Sequence, residues 1–289
     1  MARKTFESLR IRDCQHPLDR KALIALEKTP GLSLLLNKIN EYGVDRLLRL
    51  QAVGGDFRVT PNNFPKLYHA FWEASHILGI TPLPELYLYR GNGHITSFAV
   101  GVKKPIVEVN LEVMEWFSES ELVFYLATEL ARIGGQYLTY QQLAHVMPLL
   151  KGMISATTLG LGGLAANGVE VALYNWIIMS KFTTDRVGLL ACQDEYAAIT
   201  ALMKHGGLPQ EYLTEAVVQE FCEQAREFNI DELDTLDKFA KIFSFMRYDY
   251  TWTTMRASEL LKWIDQGFYD QWMQWGQFKQ PLMLESQEP

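Results

Sequence analysis

Two short charged stretches carry groups that could act together. Arg132 follows Glu129 by three residues, and Asp185 follows Lys181 by four, with Arg186 next to it. On a helix, side chains three and four apart meet on one face, so each stretch can hold an ion pair. The chemistry available to such a set is electrostatic: two carboxylates balanced by cations, costly to leave unpaired in a closed cleft. By itself, Thr128-Glu129-Leu130-Ala131-Arg132 is an ordinary amphipathic segment whose meaning depends on its surroundings. The histidines form no ligand set. His69 and His76 lie seven apart on a predicted helix with no Cys or carboxylate at ligand spacing, and are read as structural. His94 follows Gly91-Asn92-Gly93 as a turn residue, and His145 and His205 lie near predicted helix ends. Cys14, Cys192 and Cys222 are far apart with no CxxC pair, which points away from a disulfide framework and from a thiolate zinc site. Cys192 is read as a small buried packing residue.

The elements that must position these groups are mostly helices. From Asp19 to Val53 apolar residues recur three and four apart, interrupted near Pro30-Gly31 and Gly43, and Phe64 to Leu78 repeats the pattern. Three extended runs follow, Leu86 to Tyr89, Thr96 to Val100 and Ile106 to Asn110. They are separated by Gly91-Asn92-Gly93 and Lys103-Lys104-Pro105, the punctuation of a small antiparallel sheet. Ser118-Glu119-Ser120-Glu121 is a capping-box pattern, so a helix bearing Glu129 and Arg132 is predicted to start there. Later helices are predicted over Val169 to Met203, Pro209 to Glu227 and Ser258 to Trp275. The uncharged stretch Gly152 to Val169 contains Ser155, Thr157, Thr158 and Asn167. It is read as a buried helix pair or a partner-facing hairpin rather than a membrane span.

In order, Leu83-Pro84-Glu85-Leu86-Tyr87-Leu88, Ser97-Phe98-Ala99-Val100-Gly101 and Pro105-Ile106-Val107-Glu108-Val109-Asn110 resemble the strands that precede the active helix of HtpX-like zinc metallopeptidases, a family related to the CaaX prenyl proteases. Thr128-Glu129-Leu130-Ala131-Arg132-Ile133 falls where that family carries HELxHI. Lys181-Phe182-Thr183-Thr184-Asp185-Arg186-Val187-Gly188-Leu189-Leu190 resembles its second motif, E-x-x-A-D-R-x-G-L-L. The resemblance runs over residues 16 to 265. It implies that Thr128 and Arg132 stand at the zinc-binding histidines, Lys181 at the zinc-binding Glu, and Glu129 at the general base, with Asp185 and Arg186 behind them. A guanidinium has no lone pair to give and an ammonium repels a dication, so zinc is expected to be absent. Without metal, water keeps its bulk pKa of about 15.7, and Glu129 is left as a vestigial base. Arg132 and Lys181 are expected to form a salt-bridge cluster with Glu129 and Asp185 in place of the ion. Ile106, Val107, Glu108, Val109 and Asn110 resemble the strand along which the family's substrates lie, and are the candidate peptide-binding strand.

The expected fold is α+β and mostly helical: a zincin-like domain over residues 81–289 with a small antiparallel sheet and aromatic-rich C-terminal helices, and a helical region over 1–80 packed on it in one compact unit. Of the C-terminal aromatics, Trp263 is expected in the core, whereas Trp272, Met273, Trp275 and Phe278 are candidates for a partner surface. A net charge of -7 argues against nucleic acid as a partner. The first twenty residues, dense in Arg, Lys and Asp, have no apolar run of signal-peptide length, and cytoplasmic residence is expected. The leading functional reading is an inactive metallopeptidase homologue that binds a protein or peptide, with homo- or hetero-oligomers in view. The alternatives are an active peptidase of non-standard mechanism using Glu129, and a structural subunit of a larger complex.

Overall fold

The computed structural model describes residues 3–6, 9–157, 161–232 and 252–277. Three helices open the chain, α1 (Pro17–Glu27), α2 (Leu32–Glu41) and α3 (Val44–Gly55). They break where expected, at Gly31 and Gly43, whose φ angles of 93° and 62° a residue with a Cβ rarely adopts. Helix α4 (Pro65–Ile77) follows, with proline in its first turn, where its missing N–H removes no helical bond.

The sheet has four strands, β1 (Phe57–Arg58), β2 (Glu85–Tyr89), β3 (Ser97–Val100) and β4 (Ile106–Asn110), in the order β1-β2-β4-β3. β4 runs parallel to β2, with Glu85 opposite Ile106, and antiparallel to β3, with Ser97 opposite Val109. The sheet is therefore mixed, which corrects the antiparallel arrangement expected from its turns. Ile106, Val107 and Val109 are all buried, so apolar side chains leave both faces of β4, and such a strand belongs inside a sheet. β3 takes the edge although it precedes β4 in the chain. The candidate peptide-binding strand, Ile106 to Asn110, is thus bonded on both sides and cannot accept a further strand; among the described residues β3 is the edge strand on that side.

After α5 (Leu111–Trp116), helix α6 (Glu119–Gly134) starts from the predicted capping box: Ser118 Oγ accepts the Glu121 N–H and the Glu121 carboxylate accepts the Ser118 N–H. Every residue of α6 from Glu121 to Ala131 is buried. Helices α7 (Leu138–Thr157) and α8 (Leu161–Cys192) meet in the uncharged stretch Gly152 to Val169, where residues 158–160 lie outside the described residues. Among the described residues no helix is long and apolar enough to cross a membrane. The helix predicted over Val169 to Met203 ends at Cys192. Gln193 has a φ of 53°, and Asp194 caps a new helix, α9 (Glu195–His205), by accepting the Ala197 N–H. Helix α10 (Glu215–Glu227) is followed by α11 (Thr253–Asp265) and α12 (Phe268–Trp275), two helices where one was predicted, divided at Gly267 with a φ of 77°. The fold is α+β and mostly helical.

Two apolar cores hold these elements. One gathers α4, one face of the sheet, α6, α9, α11 and the end of α8; the other gathers α1 to α3, α7 and the middle of α8. Residues before and after position 80 enter both. α6 and α8 approach closely because Gly188 lies on Phe124: a Cβ there would be 2.9 Å from the ring and 3.0 Å from the Phe124 carbonyl oxygen. Asp19, fully buried in the first turn of α1, docks that helix. Its carboxylate accepts hydrogen bonds from Trp176 Nε1 (3.0 Å), Thr183 Oγ1 (2.6 Å) and the Tyr137 hydroxyl (2.7 Å). Trp263 is buried as expected and Trp275 is exposed, while Phe278 lies outside the described residues.

Candidate functional site

The crossing of α6 and α8 puts Thr128, Glu129, Arg132 and Lys181 on the wall of one cavity of about 1180 Å³. β3 supplies another wall through Ser97, Phe98, Ala99 and Val100, and the C-terminal end of α9 and the start of α11 supply His205 and Arg256. Glu129 is almost wholly buried, at 1% exposure. Its Oε1 accepts the Ser97 hydroxyl at 2.7 Å and lies 3.6 Å from Arg132 Nη1, while Oε2 has no hydrogen-bond partner. The Arg132 Nε is likewise buried without one. Thr128 spends its proton on its own helix, donating to the Tyr125 carbonyl at 2.7 Å.

Behind this layer Asp185, fully buried, is gripped by Arg256, which donates from Nε to Oδ2 at 2.8 Å and from Nη2 to Oδ1 at 2.6 Å. This grip reaches Asp185 from α11, a helix that spacing along α8 does not point to. The remaining Arg256 nitrogen, Nη1, lies 2.8 Å from His205 Nδ1, and a guanidinium only donates, so that ring nitrogen is the acceptor and carries no proton. Burial, followed by the charges of Arg256, Lys181 and Arg132, holds His205 well below the usual imidazole range, so it is neutral at pH 7. Tyr125, beside Ser97 at 2.9 Å, is pushed above the usual phenol range by burial and then by the Glu129 charge.

Arg186 does not join the cavity. Its guanidinium lies over the Trp263 ring, 5.4 Å from the centroid, and donates to the Cys14 carbonyl at 3.4 Å, on the opposite side of α8. Of the β4 residues, Glu108 reaches a second, smaller cavity on the other face of the sheet, and none lines the first. Sequence reasoning missed Ser97, Tyr125 and His205. Tyr125 stands one turn before Glu129 on α6, where helical spacing alone could have found it, whereas Ser97 on β3 and His205 at the end of α9 reach the cavity only through the tertiary fold.

The fit of a zinc ion follows from the donors. Among the described residues no three of His, Cys, Asp or Glu stand close enough to share a metal. Nearest Glu129 the cavity wall carries the Thr128 hydroxyl bonded to its own helix, the Ser97 hydroxyl bonded to Glu129, the Arg132 and Arg256 guanidinium groups, the Lys181 ammonium and the His205 imidazole, whose acceptor nitrogen faces Arg256; His94 and His145 also line the cavity. That set repels a dication and does not fit one.

No family model and no solved structure matches the chain. Over 259 residues it is 25% identical to the plastoglobule-localized metallopeptidase 48, chloroplastic, of Arabidopsis thaliana, covering 89% of this chain and 74% of that protein. By that similarity, which spans most of its length, the chain is metallopeptidase-like.

Proposed function

We propose that this chain is an inactive, HtpX-like metallopeptidase homologue with a zincin-like frame, binding a protein or peptide in the old cleft without cutting it. The observation that carries this reading is the convergence of Thr128, Arg132 and Lys181 with Glu129 on one cavity. The three positions that the resemblance assigns to zinc ligands share a wall with the assigned base, and they hold a hydroxyl and two cations. Glu129 is then a vestigial base, since proton transfer alone supplies typically about 10²- to 10⁴-fold acceleration, too little for an amide bond without an electrophile. The similarity to a named metallopeptidase supports the ancestry. An extended peptide has a place to lie, because among the described residues β3 is an edge strand and runs along the cavity. The half-buried Trp272 and exposed Trp275 on α12 supply a further contact surface for a partner or a second subunit. Three unpaired cysteines support a reducing compartment, the cytoplasm in the first instance, and cell fractionation decides between it and an organelle.

The test is elemental analysis of purified protein with a peptidase assay, run beside Thr128→His, Arg132→His and Lys181→Glu combined. The expected result is no zinc and no cleavage in the natural chain, and stoichiometric zinc in the triple variant. Zinc in the natural chain with chelator-sensitive cleavage would overturn the reading.

A further inference from the structure

Helix α3 is apolar on both sides. Val44, Leu48 and Ala52 are buried against the second core, yet Leu47, Leu50 and Val53 on the opposite side are 48%, 63% and 51% exposed. An exposed helix ordinarily turns charged residues outward, so a second apolar stripe marks a face that something covers. The stripe is extended by Phe57, 70% exposed and two residues past the helix end, and by Val102, 50% exposed in the turn between β3 and β4. That turn is tied to α3: the Val102 N–H donates to Asp45 Oδ1, and Arg49 Nη1 donates to the Lys104 carbonyl at 3.4 Å.

Arg46, Lys103 and Lys104 stand exposed around the patch, on a chain whose net charge is -7. Protruding apolar side chains rimmed by cations match an interface with an apolar interior and anionic headgroups. At the foot of the patch opens the second cavity, about 660 Å³, whose walls are apolar at Leu48, Phe57 and Phe64 and polar at Asp56, Arg90 and Glu108.

We infer that the outer face of α3, with Phe57 and the Val102 turn, docks the protein on an anionic lipid surface. This does not depend on what the Glu129 cleft binds.

The test is flotation of the full chain with phosphatidylcholine vesicles, with and without phosphatidylglycerol. The expected result is flotation only with phosphatidylglycerol, weakening with salt. Leu50→Asp with Val53→Asp, and separately Lys103→Glu with Lys104→Glu, should each reduce partitioning at least about tenfold, since a cation near such a surface contributes roughly 1 kcal/mol. Circular dichroism and thermal midpoint should stay unchanged; where the aspartates perturb folding, Leu50→Gln with Val53→Gln replaces them. Failure of the natural chain to float with either vesicle, equal flotation with both, or variants that float like it would overturn the inference. So would a dimer, seen by ultracentrifugation, that dissolves in the Leu50 and Val53 variant while no vesicle is bound.

Discussion

Arg256 and Asp185, 71 residues apart, meet through two parallel N–H···O bonds of 2.6 and 2.8 Å with side chains 3% and 1% exposed. A two-pronged pair of this kind fixes orientation as well as charge, and it locks α11 to α8 directly behind the cleft. Removing one partner strands the other as a buried ion. Arg256→Ala should therefore cost about 3–5 kcal/mol of unfolding free energy in urea. Arg256→Lys should recover only part of that, because an ammonium cannot reproduce the fork. A loss below about 1 kcal/mol for the alanine variant would show that water reaches Asp185 freely.

Glu129 and Arg132 form a looser pair at 3.6 Å, with one oxygen of the first and the Nε of the second lacking partners. If the guanidinium balances the Glu129 charge, its loss takes away the cation at 3.6 Å and leaves the Ser97 hydroxyl as the hydrogen-bond donor to Oε1. Arg132→Ala should destabilise by about 1–3 kcal/mol. Glu129→Gln placed on top should return at least about 1 kcal/mol, a coupling in the range expected of contacting residues. Additive effects in the double-mutant cycle would mean the two side chains ignore each other.

What the sequence made legible was local. The Ser118 and Glu121 capping box and the helix breaks at Gly31 and Gly43 follow from local pattern, whereas the convergence of Thr128, Glu129 and Arg132 with Lys181 was implied by the family resemblance and not by spacing. The sheet order was not legible, because turns between β2, β3 and β4 say nothing about which strand lies in the middle; burial on both faces of β4 decides that. Nor was the grip of Arg256 on Asp185, or the arrival of His205 beside it, since no periodicity links residues on α8, α9 and α11. The break between α11 and α12 needed only one glycine to enter the left-handed region, and the apolar pattern runs through it unchanged.

Glu108, on the far face of the sheet, is pushed up to about 8 by burial and then by the neighbouring Asp56 carboxyl, to which it is hydrogen-bonded. Arg90 and His145 line the same cavity, and His145 is held below the usual imidazole range by burial. The folded state thus holds a proton on Glu108 that an unfolded chain releases in the ordinary carboxylate range. Its stabilising contribution is complete in acid and is lost as the pH rises toward and through about 8. Glu108→Gln should raise the thermal midpoint at pH 9 and change it little at pH 5. An identical shift at both pH values would assign the effect to packing instead of the proton.

Gly188 tests the crossing that assembles the site. In an exposed helix interior, glycine to alanine stabilises by about 1 kcal/mol, because alanine has less backbone freedom to lose on folding. At position 188 the added methyl meets the Phe124 ring at 2.9 Å and the Phe124 carbonyl at 3.0 Å, and neither is the end of a flexible chain. The backbone oxygen cannot move without shifting α6, and Phe124 is itself fully buried. Overpacking of this kind costs about 1–3 kcal/mol, so strain outweighs the backbone gain and Gly188→Ala should destabilise. Since the same displacement carries Glu129 and Arg132 on α6 away from Lys181 and Asp185 on α8, Gly188→Ala should also weaken zinc capture by the restored triple variant. Gly188→Ala in the natural chain with an unchanged or higher thermal midpoint would show that the helices stand further apart than the Phe124 contact requires.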